Sequence, residues 1–106
     1  MWIANNNDLT MAENDYGIAL PITIQGMTFS AGDCVKIVIK KAQNDETILT
    51  KEFNNITQNT ISLEFTEAES ALLPVGKYVY RMDAYQDGNF LCNIVPVAFL
   101  KVVDVA

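Results

Sequence analysis

From Asn59 to Tyr85 the chain reads NTISLEFTEAESALLPVGKYVYRMDAY, and its hydrophobic pattern changes period twice. Ile61, Leu63 and Phe65 alternate with Thr60, Ser62 and Glu64, the period-two signature of a half-buried strand. Thr66 followed by Glu69 has the spacing of a capping box, in which each side chain bonds the other's backbone N–H. Ala68, Ala71, Leu72 and Leu73 then supply a short apolar helical face. Pro74 biases Leu73 away from helix, and Gly76 permits the turn out. Tyr78, Tyr80, Met82 and Ala84 resume the alternation against Lys77, Val79, Arg81 and Asp83. The stretch predicts strand, helical turn, strand.

The same alternation recurs along the chain. Residues 1–7 read as a loose polar lead-in apart from Trp2 and Ile3, and Leu9 and Met11 flank Thr10 in a short strand. Ile18, Leu20, Ile22 and Ile24 form a strand that Pro21 assigns to a sheet edge or a bulge. Phe29 is placed inward from the connection that follows. Cys34–Lys41 and Ile48–Phe53 form a hairpin about Asn44-Asp45, with Val35, Ile37 and Ile39 inward and Lys36, Val38 and Lys40 outward. Asp87-Gly88 is the dipeptide of a type I′ turn and pairs Tyr78–Tyr85 with Phe90–Val95. Pro96 ends that run, and residues 97–105 make a last strand. Seven to eight short strands with one helical turn near 67–72 predict an all-β, antiparallel β-sandwich or small barrel in one domain.

Composition narrows what such a domain does. Half of the 106 residues are hydrophobic and the net charge is −6, so the chain folds and lacks the clustered cations that nucleic acid requires. There is no basic, apolar signal segment and no run of about 20 apolar residues to span a bilayer. The expected setting is therefore a reducing cytoplasm or a particle assembled there.

The chain contains no His, which removes the usual proton shuttle near neutral pH. Cys34 and Cys92 have no metal-ligand or redox spacing and read as free thiols, with a cross-strand disulfide open only if their strands pair. The acids fall in turns (Asp15, Asp33, Asp45, Asp87), in the cap (Glu67, Glu69) or outward on strands (Glu52, Glu64, Asp83). No catalytic residue, metal site or cofactor site is expected. Tyr85 and Phe90 flank the Asp87-Gly88 turn and either pack under their own hairpin or form an exposed platform for a sugar or protein. Val38 and Val79, apolar on outward positions, point to a second buried face or a protein contact. Trp2 is an interface anchor or part of the lead-in.

TEAESALLPVGKYVYRMDAYQDG, together with the DCVKIVIKK strand, the YGIALPITI strand and the closing FLKVVDVA, resembles a family of small phage and prophage proteins. Those domains are immunoglobulin-like β-sandwiches similar to the N-terminal domains of phage baseplate upper proteins. The resemblance covers the chain from about Tyr16 onward. It implies an immunoglobulin-like fold and a structural part of a virion or baseplate. Its partners would be other protein subunits, a homo-oligomer among them, and it carries no catalytic residues across.

Overall fold

The structure, a computed structural model, describes residues 2–5, 7–13, 16–24, 29, 32–42, 46–54, 56 and 59–104, the first four by their backbone only. Eight strands and one helical segment follow the alternation: β1 (Trp2–Asn5), β2 (Asp8–Ala12), β3 (Leu20–Thr23), β4 (Asp33–Lys40), β5 (Thr47–Asn54), β6 (Thr60–Leu63), α1 (Glu67–Ala71), β7 (Gly76–Gln86) and β8 (Asn89–Val103). They form a six-stranded sheet in the order β1-β2-β8-β7-β4-β5 and a two-stranded sheet, β3-β6. Strands four, five, seven and eight thus lie in one sheet against three and six in the other. The chain is an all-β sandwich.

The core lies between the sheets. Val35, Ile37 and Ile39 of β4, Tyr78, Tyr80 and Met82 of β7, and Leu100 and Val102 of β8 meet Ile61, Leu63 and Phe65 from the opposite side. Phe29 is buried, as its apolar character requires. Each strand keeps its period: β4 buries its odd-numbered core side chains while Lys36, Val38 and Lys40 stay half-buried on the outer face.

The corner between β6 and β7 is closed by two local bonds. The capping box at Thr66 forms: Glu69 N–H donates to Thr66 Oγ1 at 3.2 Å and Thr66 N–H to Glu69 Oε1 at 2.9 Å. The Tyr78 hydroxyl donates to the Pro74 carbonyl at 2.6 Å. That bond ties the start of β7 to the chain just upstream.

Four details depart from expectation. Residues 2–5 are not a loose lead-in: β1 pairs antiparallel with β2. The β2–β8 pairing is parallel, the one exception in a ladder otherwise antiparallel among the described residues. Pro96 does not end a strand. Tyr80 pairs with Ala98 and Met82 with Val95, so Pro96 and Val97 share the place opposite Arg81, and this bulge absorbs the missing N–H. Finally, α1 does not bury the alanines: Ala68, Ala71 and Leu72 are exposed, and Ser70 and Leu73 face inward. Five residues give too short a helix for an apolar stripe, and Leu73 is buried by the turn that follows. The Asn44-Asp45 turn lies outside the described residues.

Candidate interaction surface

The outer face of the large sheet gathers most of the residues singled out in the sequence. Registers Lys40↔Val79 and Val79↔Phe99 set Lys40, Val79 and Phe99 side by side across three strands, with Val38, opposite Arg81, diagonal to Val79. The bulge at Pro96 turns Val97 onto the same face, where Val97 and Phe99 are each 42% exposed. Val38, Lys40, Val79, Arg81, Pro96 and Val97 line a hollow of about 200 Å³. The ammonium of Lys77 stands 3.9 Å from the centre of the Phe99 ring, a cation–π contact at the margin of the patch.

Tyr85 and Phe90 lie on the same face, four residues further along β7, or about 13 Å at strand rise. The Asp87-Gly88 turn brings them together: positive φ at both residues, +50° and +82°, gives the type I′ geometry and pairs Tyr85 with Phe90. Their rings meet edge to face, 5.8 Å between centres. Lys36 Nζ sits 4.5 Å from the Tyr85 ring centre. Tyr85 is half-buried under its own hairpin and Phe90 is 57% exposed, so the two readings of this pair divide between its members. Trp2 lies on β1, with β2 and β8 between it and β7; its side chain lies outside the described residues.

Between the two patches runs a polar link. Asp83, expected outward and solvated, is 5% exposed because its neighbours cover it. Arg81 grips it with both ends of the guanidinium, Nε at 2.9 Å and Nη2 at 3.0 Å, and Asn93 Nδ2 donates to it at 2.7 Å. That carboxylate raises the affinity of Arg81 for its proton. Asn93 reaches Asp83 because two further register shifts in β8 reposition it, a geometry no two-residue period announces.

Cys34 is buried and Cys92 half-buried, and β7 stands between their strands, so they are not on paired strands and form no disulfide with each other. Burial first, then the nearby Glu52 charge, pushes the Cys34 thiol up, away from the reactive thiolate. Among the described residues no group of three His, Cys, Asp or Glu is placed to hold a metal ion. Among the described residues no helix is long and apolar enough to cross a membrane.

A second hollow, of about 420 Å³, opens between β3 and the edge of the large sheet, against Leu9, Leu20, Ile22, Tyr80 and Met82. Asn7 and Thr23 add polar groups to its lining. No family model matches the chain, and no curated protein matches its sequence.

Proposed function

We propose that the chain is a non-enzymatic structural or assembly module of phage or prophage origin, virion- or baseplate-like, working through protein–protein contacts. The observation that carries this reading is the outer face of the large sheet. There Val97 and Phe99 stay solvent-accessible beside the hollow between Lys40 and Arg81, so that apolar side chains and cations share one exposed face. An apolar centre with a charged rim is the anatomy of a protein interface. The absence of His from the sequence favours a non-catalytic role. On this reading the chain is found in the bacterial cytoplasm or in the particle.

The test is to sediment phage particles or their sub-assemblies from producing cells and to locate the chain by immunoblot. Recovery in the particle fraction, lost on Val79→Asp, is expected. A chain found only in the soluble fraction would count against the reading.

Phe90, standing 57% exposed and edge-on to Tyr85, favours a second reading: an immunoglobulin-like carbohydrate- or surface-binding module using the hairpin aromatics. Lys36 already covers one face of Tyr85, which leaves Phe90 as the platform. Glycan-array binding abolished by Phe90→Ala would support this reading, and an array with no bound glycan would remove it.

A further inference from the structure

Cations on the outer face of the large sheet are matched with acids at one end and not at the other. Lys36 stands between Glu52 and Asp83, its partners in the two ladders of β4. Arg81, one row on, is bonded to Asp83 at 2.9 Å. Off this face, Lys51 is bonded to Glu69 at 2.8 Å.

At the start of β7 the pattern changes. Register sets Lys77 directly opposite Lys101, and both are exposed. Side chains so placed have Cβ atoms about 4.5–5.5 Å apart, and like charges there oppose the fold. Lys40, paired with Val79, stands diagonal to Lys77, at about 7–8 Å. The neighbour of Lys101 on its other side is Thr10, not an acid. Among the described residues none of these three lysines enters an ion pair. The Phe99 ring, 3.9 Å from Lys77 Nζ, steadies that ammonium without cancelling its charge. Asp8 is the acid that strand register places beside them, and its Oδ1 accepts the Phe99 N–H at 3.0 Å.

We propose that this end of the face binds an acidic segment of a partner protein in extended form, its carboxylates meeting Lys40, Lys77 and Lys101. Such a segment relieves a repulsion that the fold otherwise carries. Same-face side chains of an extended segment recur about every 6.6 Å, close to the Lys40–Lys77 diagonal. Successive carboxylates therefore reach Lys40 and then the Lys77–Lys101 pair. Val97 and Phe99, each 42% exposed, lie alongside for the segment's carbon chains. A short segment also suits the charge of the whole molecule. At a screening length of about 8 Å it feels these lysines and little of the acidic remainder of a chain whose net charge is −6. A long polyanion such as nucleic acid meets both. The site belongs to the assembly reading above and names the chemistry of one partner.

The test is fluorescence anisotropy with a labelled hexaglutamate peptide at low and moderate salt. The wild type is expected to bind it, more weakly as salt is raised. Lys101→Glu turns the opposed pair into an attractive one. It is expected to melt no lower than wild type while binding the peptide at least about tenfold more weakly. Lys36→Gln, at the matched end and beyond a screening length, is expected to bind within about twofold of wild type. No binding at low salt overturns the inference, as does equal binding by Lys101→Glu and wild type. Tighter binding of an oligothymidylate of matched charge overturns it too. If Lys101→Glu melts below wild type, the pair carries no repulsion and the site falls with it. If a chain that ignores the peptide is still recovered in particles, the assembly reading survives with a partner of other chemistry; if it is absent from particles as well, both fail.

Discussion

Tyr80 joins two parts of the molecule through one side chain. Its ring fills the core, and its hydroxyl donates to the carbonyl of Asn7 in the link between β1 and β2. Burial, with the Asp8 charge added, pushes its ionisation from 10 up to about 12. A raised acid of this kind leaves stability untouched below the unfolded value and erodes it as pH climbs toward the folded one. The wild type should thus lose stability between pH 10 and about 12, and Tyr80→Phe should flatten that part of the alkaline limb. The same variant should cost about 1 kcal/mol at neutral pH through the lost hydrogen bond. Melting temperature against pH reads both effects; superimposable alkaline limbs would show that Tyr80 is not the group responsible.

At Gly32 an added side chain would meet both backbone strain and a neighbouring side chain. Its φ is +93°, and a Cβ there would stand 2.7 Å from Asp87 Oδ1. The same residue's carbonyl accepts the Asp87 N–H at 3.2 Å, so it steers the β7–β8 turn that carries Phe90. Gly32→Ala should cost about 1–3 kcal/mol, from backbone strain and displaced Asp87 together. Gly17, at φ +77° with nothing within 4 Å of such a Cβ, is the control and should lose only the strain. Equal urea midpoints for the two variants would contradict this account of Gly32.

At the scale of the element, the β6–α1–β7 corner is held by polar bonds more than by helix propensity, since five residues barely complete a turn. Burial alone would raise the Glu69 carboxyl; the Lys51 ammonium at 2.8 Å, the Thr66 N–H and the Lys51 charge hold it below its ordinary value. A lowered carboxylate contributes stability above its unfolded value, lost as pH falls through the folded one. Glu69→Gln should therefore be less stable than wild type at neutral pH, and the gap should close as pH drops below the ordinary glutamate value of 4.5. Thr66→Ala should cost about 1 kcal/mol at any pH, because it removes the uncharged half of the box. Parallel curves for Glu69→Gln and wild type down through acid pH would refute the charge argument.

This corner also shows where sequence reading succeeds. Thr66 and Glu69 announce the cap because capping is local, and Asp87-Gly88 announces its turn because positive φ favours few residues. The alternation at Tyr78–Ala84 likewise sorts core from surface. What stays hidden is non-local. Pro96 reads as a break because its tolerance depends on a bulge facing Arg81 across the ladder. Asp83 reads as a surface acid because its cover comes from Arg81 and from Asn93 on another strand. The parallel β2–β8 register depends on where the chain returns after the whole sandwich has formed. For the surface, Val38, Val79, Tyr85 and Phe90 were visible from parity alone, whereas Val97 joins them only through the bulge.

At the scale of the molecule, the long β7–β8 ribbon gives a body of 42 × 28 × 26 Å whose large sheet is covered on one face and open on the other. The covered face is the core. The open face carries Val38, Val79 and Val97, Phe90 and Phe99, and most of the cations. On the proposed function, the contacts fall on that open face.

The most direct test of that assignment is to follow methyl resonances by NMR as the protein concentration is raised. The account predicts concentration-dependent shifts at Val38, Val79 and Val97, with Val35 and Leu63 in the core unmoved. Shifts confined to Leu20 and Ile22 beside the other hollow, or no shifts at any concentration, would contradict it.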